Sequence, residues 1–349
     1  MKKSIIDDVE ATIQEEIDTL KMRTEAKRKQ GEKYLRDTNK KLLLERDVAE
    51  QKIAFILDIQ NRESKQYTIS PKKGSSDNEA VSVMALSDIH LEEKVDSATV
   101  NGLNEYNPDI ARDSVMKFFR NGLRLHQIFQ RDININTILL AILGDIISGY
   151  IHEELMEDNY LSPTQATLLG MDVVSSGIKY LLKGSKAKLV IPCVPGNHGR
   201  TTEKMRVSTS YKNSYEWMMY HLLAREFKDN ERVEFIIENG YMTYVDVLGY
   251  TLRLHHGNAI KYQDGIGGIT VPVNKAIAQW DKERRAYLDV FGHFHTEMLD
   301  VGKFVSNGSV IGYSPYAIKI RAPYQKPMQS FFLIDKKRGK SICAPIFVR

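Results

Sequence analysis

Val81-Ser82-Val83-Met84-Ala85-Leu86-Ser87-Asp88-Ile89-His90 is an apolar run that stops on two polar side chains, Asp88 and His90. A run this short, with turn signals beyond it, suits a buried strand better than a helix. The pattern returns four times. Residues 137–143 lead into Gly144-Asp145, 188–194 into Gly196-Asn197-His198, 250–254 into His255-His256-Gly257, and 288–291 into Gly292-His293-Phe294-His295. Strands that end in polar side chains are how an open α/β sheet builds a site along one edge. Helical patterns lie between them. Residues 110–129 carry helical spacing through Val115, Phe118, Phe119 and Leu123. Residues 162–182 form a second pattern, with Pro163 in its first turn and Gly184 past its end, and 213–227 a third. Beyond residue 232 the chain turns β-rich, with further strands at 233–237, 243–248, 304–311, 331–334 and 342–348 and one helix at 273–285. Alternation first and hairpins later predict an α/β fold with two stacked sheets flanked by helices.

Composition narrows the class. At 349 residues, 42% hydrophobic and 27% charged, the chain can bury a full core and reads as an ordinary globular protein. A net charge of +4 argues little for a polyanionic partner. No apolar stretch is long enough to span a bilayer, so no membrane association is expected. Asp7 and Asp8 interrupt the N-terminal run before any signal-peptide core, which predicts a cytoplasmic location. The two cysteines, Cys193 and Cys343, fall in predicted strands and read as small buried hydrophobes rather than a disulfide or a thiolate metal site.

Residues 1–69 read as a separate helical region. Ile6, Val9, Ile13, Ile17 and Leu20 follow amphipathic spacing. Residues 1–20 hold six acids against two lysines, whereas 21–46 hold ten Lys/Arg against four acids. Such a split suits an antiparallel, coiled-coil hairpin turning near Gly31, able to join copies of the chain in a homo-oligomer. The sharper alternative is a basic arm on nucleic-acid phosphates. The polar stretch 70–80 is expected to be a linker, with the main domain at 81–349.

Seven side chains in the five blocks are candidate metal ligands: Asp88, His90, Asp145, Asn197, His256, His293 and His295. Hydrolysis of a phosphate ester meets repulsion between nucleophile and anionic substrate, which two metal ions relieve by generating hydroxide and clamping the oxygens. Such a pair needs a bridging carboxylate and a shell of imidazole and oxygen, and this set contains both. Extended backbone through D-x-H and H-x-H would send both side chains to one side.

In this order the blocks resemble the calcineurin-like metallophosphoesterases, over roughly residues 81–315. The resemblance implies a four-layer α/β/β/α sandwich and a site for two divalent ions. Asp88, His90 and His295 would hold the first, Asn197, His256 and His293 the second, and Asp145 would bridge them. His198 would protonate the leaving oxygen while hydroxide attacks phosphorus in line. Manganese is the expected metal, with iron and zinc as alternatives for a donor set without thiolate. Two departures stand out. The family usually carries an acid after the third-block histidine, and here Gly199-Arg200 follow. Arg200 is therefore a candidate contact to a phosphate oxygen. The Asp-Arg pair of phosphoprotein phosphatases is absent from Ile146-Ile147-Ser148, which argues against a protein phosphatase.

Other histidines read differently. His126 and His221 sit in helical patterns and are expected to be structural, His255 should point away from the site, and His152 is a weaker candidate for touching substrate. Residues 264–268 and Asn307-Gly308-Ser309 read as loops near the site. The third and fourth blocks also look like those of bacteriophage phosphoesterases. Three functions follow. The first is a phosphodiesterase on DNA, resembling the nuclease subunits of double-strand-break repair complexes; the basic segment 21–46 with Arg200, Lys204 and Arg206 supports it. The second is a phosphatase or diesterase on a nucleotide or other small ester, favoured if the 200–215 loop closes a small pocket. The third is a catalytically inactive binding protein, which the intact ligand set disfavours.

Overall fold

Each of the five apolar runs is a strand in the computed structural model, which describes residues 18–43, 46, 67–70, 78–261, 268–299 and 302–349. Three of them are β2 (Ala80–Leu86), β3 (Thr137–Ile142) and β4 (Lys188–Cys193), which run parallel in one sheet. That sheet continues to β5 (Val233–Ile237) on one side and to antiparallel β10 (Met328–Asp335) and β11 (Gly339–Phe347) on the other. The order is β11-β10-β2-β3-β4-β5. The other two runs, β7 (Tyr250–Leu254) and β8 (Leu288–Phe291), belong to a second sheet. It also holds β1 (Tyr67–Ile69), β6 (Thr243–Val247) and β9 (Phe304–Ser306), in the order β1-β6-β7-β8-β9.

Side-chain alternation explains the layers. Val83 and Ala85 of β2, Leu139 and Ala141 of β3, and Phe332 of β10 face the second sheet, where they meet Val245, Leu252, Leu254 and Val290. The opposite faces of the same strands, through Met84, Leu86, Leu140 and Leu189, pack on helices. Strands buried on both sides read as unbroken apolar runs, which is why the sequence shows them so clearly. The helices on this face are α2 (Pro108–Phe129), α4 (Pro163–Gly184) and α5 (Tyr215–Glu226), with the short α3 (Glu153–Asp158) between β3 and α4. Asn107 caps α2 by accepting from Ile110 N, and Ser162 and Gln165 form a capping box on α4. Phe119 fills the space where a Cβ on Gly177 would lie, so a glycine lets α2 and α4 close. On the far face of the second sheet, α6 (Thr270–Trp280) lays Val273 and Ile277 over Phe291 and Phe304. The result is the expected four-layer α/β/β/α sandwich.

Register places the site. Leu86 pairs with Ile142 and Ile142 with Cys193, so three parallel strands end level and release Asp88, Asp145 and Asn197 from one edge. Leu254 pairs with Val290 in the same way in the second sheet.

Several expectations need correction. The chain forms two compact units, Met1–Lys65 and Gln66–Arg349, so the second begins ahead of residue 81. Tyr67–Ile69, assigned to the helical region, instead pair in parallel with β6. Residues 18–43 form one helix, α1, that runs through Gly31 without a turn. One glycine costs about 1 kcal/mol against alanine in a helix, too little to break a run of strong helix formers. The i,i+4 ion pair Arg28–Glu32 spans it, and Lys29–Glu25 lies just before it. The expected helix over 1–17 and linker residues 71–77 lie outside the described residues. Strand β9 stops at Ser306 rather than 311, because Asn307 turns into the site. Among the described residues, no helix is long and apolar enough to cross a membrane. Cys193 is buried and Cys343 half-buried, and no disulfide joins them.

Candidate metal centre

The backbone at the strand ends is not extended as D-x-H and H-x-H suggested. Asp88, His90, Asp145, His293 and His295 have φ of 52°, 53°, 52°, 71° and 52°. A non-glycine residue held in the left-handed region costs of order 1–3 kcal/mol and persists where its surroundings fix it. Five such residues among the seven candidate ligands mark this edge as a built site.

Two glycines of the blocks make room for the ligand carboxylates. A Cβ on Gly196 would lie 2.0 Å from Asp145 Oδ1, and one on Gly292 would lie 2.4 Å from Asp88 Oδ2. Gly144, at φ 89°, brings its own block against the backbone of Gly196.

Donor atoms converge. Among the described residues, three groups have ligand atoms within 4.8 Å of one another: Asp88, His90 and His295; His90, Asp145 and His198; and Asp145, His256 and His293. Nε2 of His295 is 3.2 Å from Nε2 of His90 and 3.3 Å from Asp88 Oδ1. Nε2 of His256 is 2.9 Å from Asp145 Oδ2 and 3.1 Å from Asn197 Oδ1. All seven candidates therefore meet at one edge, and His198 joins them.

Outer contacts fix which nitrogen faces inward. Ser148 Oγ donates to Glu93 Oε2 at 2.7 Å, so it accepts from His90 Nδ1 at 2.8 Å. His256 Nδ1 donates to Leu143 O at 2.7 Å, and His198 Nδ1 to Ser148 O at 3.0 Å. In each ring Nε2 is the atom left for the site. Asp88 is fixed by a chain of polar contacts. Ser87 Oγ donates to Asp88 Oδ2 at 2.5 Å, Asn307 Nδ2 donates to Ser87 Oγ at 2.9 Å, and Gln329 Oε1 accepts from both Asn307 Nδ2 and Ser87 N. Ser148, Glu93, Glu216 and Gln329 were not singled out from sequence.

Charge follows the same pattern. Burial alone would raise the Asp145 carboxyl, but the imidazoles of His256 and His198 hold it well below the usual carboxylate range. Burial disfavours charge on His256, yet Asp145 beside it pushes its pKa up to about 9. Burial, then the charge of His256, pushes His293 down to about 3. Burial also lowers His90. Buried carboxylates facing imidazole Nε2 atoms, with no thiolate, form a donor set that fits divalent manganese, iron or zinc.

Other predicted residues separate. His255 lies on the far side of its strand, stacked on Phe291 at 5.1 Å between ring centres. His126 Nδ1 meets Ser82 Oγ inside the helix layer, and His221 packs on Trp217. His152 is exposed, 6.3 Å from the His198 ring. Arg200 differs from expectation: its guanidinium donates to the carbonyls of Asn197, Thr202 and Glu203, so it clamps its own loop. Residues 264–267 of the expected glycine loop lie outside the described residues.

In block order, layer order and the point where the blocks meet, the chain resembles the calcineurin-like metallophosphoesterases. No protein-family model matches the sequence, and no curated protein matches it. Vacuolar protein sorting 29 from Cryptosporidium parvum is 13% identical over 76% of this chain and 96% of its own, with a TM-score of 0.30. A predicted phosphoesterase from Streptococcus pneumoniae is 11% identical over 76% and 95%, at a TM-score of 0.27. Vacuolar protein sorting 29 from Entamoeba histolytica, in complex with zinc, is 11% identical over 76% and 99%, at 0.30.

Proposed function

We propose that the chain is a dinuclear metal-dependent phosphoesterase that hydrolyses phosphodiester bonds. One observation carries this: Asp145 shares one donor group with His90 and another with His256 and His293. A carboxylate between two imidazole sets is what a bridged metal pair requires. Asp88, His90 and His295 would hold one ion, Asn197, His256 and His293 the other, with Asp145 between them. Two bound divalent ions supply Lewis acidity and activate the nucleophile, and manganese is the metal we favour. The protein's own contribution is position and proton transfer. His198 donates through Nδ1 to the Ser148 carbonyl, which leaves Nε2 to carry a proton to the leaving oxygen. Arg200 acts through Asn197, whose carbonyl it holds at 2.9 Å.

DNA is the substrate we favour. Lys204 and Arg206 are exposed on the loop after the third block, and α1 is rich in exposed lysine and arginine. Backbone phosphates are the natural partner of such groups. The same helix is the candidate for joining copies of the chain. One contact favours a nucleotide-scale ester instead: Met205 Sδ accepts from Asn258 Nδ2, so the loop reaches the fourth block. End-labelled single- and double-stranded DNA, incubated with the protein and Mn beside an Asp145→Ala variant, separates the two. Cleavage by wild type alone supports the nuclease. No cleavage, with a small chromogenic diester still hydrolysed, moves the substrate to nucleotide scale.

A further inference from the structure

Glu216 touches none of the candidate ligands' donor atoms, yet it joins the segments that carry them. Its Oε1 accepts from Ile146 N at 2.6 Å and Ile147 N at 3.4 Å, directly after Asp145. Its Oε2 accepts from Gly196 N at 2.6 Å, directly before Asn197 and His198. The carboxylate is buried, in the first turn of α5. Backbone bonds bolt that turn to the third block: Tyr215 N donates to Gly199 O at 2.8 Å and Thr201 N to Asn213 O at 2.9 Å. Gly199 stands in the position where an acid was expected. A Cβ there would lie 2.7 Å from Glu216 Cγ and 3.0 Å from its Cδ.

We infer that Glu216 supplies from α5 the carboxylate that the third block lacks, and that residue 199 is glycine to admit it. Glu216 is a positioning residue: it sets the spacing between Asp145 and the Asn197-His198 pair. That spacing has no slack, because Gly196 already sits against Asp145 Oδ1. Charge-assisted bonds to backbone N–H groups are about twice as strong as neutral ones, and one carboxylate here makes them to two separate loops. The inference rests on the two-metal proposal above.

Isothermal titration of the metal-stripped full chain with Mn tests it, with melting temperature recorded for each variant. Glu216→Gln keeps the shape but turns an NH2 group towards Gly196 N–H, so donor faces donor. Glu216→Ala removes the tether. Both variants, folded, should bind Mn about 10- to 100-fold more weakly at one site, the range for lost outer-shell partners. The double variant Gly199→Glu/Glu216→Ala returns an acid to the third block and should recover part of that loss. If Glu216→Ala does not fold, Glu216→Gln decides. Wild-type affinity at both sites in the Gln variant would overturn the inference and leave the two-metal proposal standing. A folded double variant that recovers nothing would overturn the pairing of residues 199 and 216. No Mn uptake by the wild type would overturn the metal proposal itself, and this inference with it.

Discussion

Gly292→Ala isolates the packing of the site from everything else. Gly292 does not have a left-handed φ, so alanine meets no torsional penalty there. The new Cβ would stand 2.4 Å from Asp88 Oδ2, 2.5 Å from Ser87 Oγ and 2.8 Å from Ser87 Cβ. Ordinary contact begins near 3.4 Å, so the carboxylate must retreat by about 1 Å, and misplacement of that size costs about 100-fold in rate. That is roughly 2.7 kcal/mol of transition-state stabilisation. Overpacking adds about 1–3 kcal/mol to the folding cost, so the variant should melt lower yet remain folded. The assay is hydrolysis of bis(p-nitrophenyl) phosphate with saturating Mn, beside circular dichroism to confirm the fold. A folded Gly292→Ala protein with kcat within twofold of wild type would refute the packing argument, since Asp88 would then have room that the structure denies it.

Three further outcomes follow from other parts of the molecule. Asn307→Ala breaks the chain from Gln329 through Ser87 to Asp88; Mn affinity should fall about 10- to 100-fold by calorimetry, and unchanged affinity would remove Asn307 from the site. Burial pushes His126 down to about 4. Its folded pKa lies below the unfolded value of about 6.5, so its contribution of up to about 3 kcal/mol is complete above pH 6.5 and lost as the pH falls through 4. Urea midpoints of wild type should therefore fall more steeply over that window than those of His126→Leu, and parallel curves would contradict this. Gly31 lies mid-helix, with nothing within 4 Å of where a Cβ would stand; Gly31→Ala should stabilise α1 by up to about 1 kcal/mol, seen as slower amide exchange around it. Faster exchange would restore the turn.

Much of the architecture was legible because β2, β3 and β4 are apolar on both faces. Their ends could be read because each stops at a polar block. The seven candidate ligands share that property: each lies within a few residues of a strand end. What supports them does not. Glu216 meets its partners 70 and 20 residues away, and Gln329 meets Ser87 across 242. No local pattern announces such a contact; the glycine at 199 was the visible trace of it. The left-handed φ values at the ligands were hidden too, since Asp and His, though enriched in that conformation, adopt it at only a small share of their positions. Three-residue β1 is too short for alternation to show. Gly31 misled for the opposite reason: a turn residue in sequence became one more helical residue once its neighbours outweighed it. Arg200 looked free in sequence, but three loop carbonyls bend back onto it.

Hydrolysis by two metal ions bridged through Asp145 is the proposal on which the rest depends. Titrating Mn into metal-stripped protein while following the chromogenic diester tests it without intermediaries. A bridged pair requires no hydrolysis without metal, a rise that saturates at two ions per chain, and a flat response from Asp145→Ala. Hydrolysis that survives chelation, or that Asp145→Ala retains at saturating Mn, would contradict it.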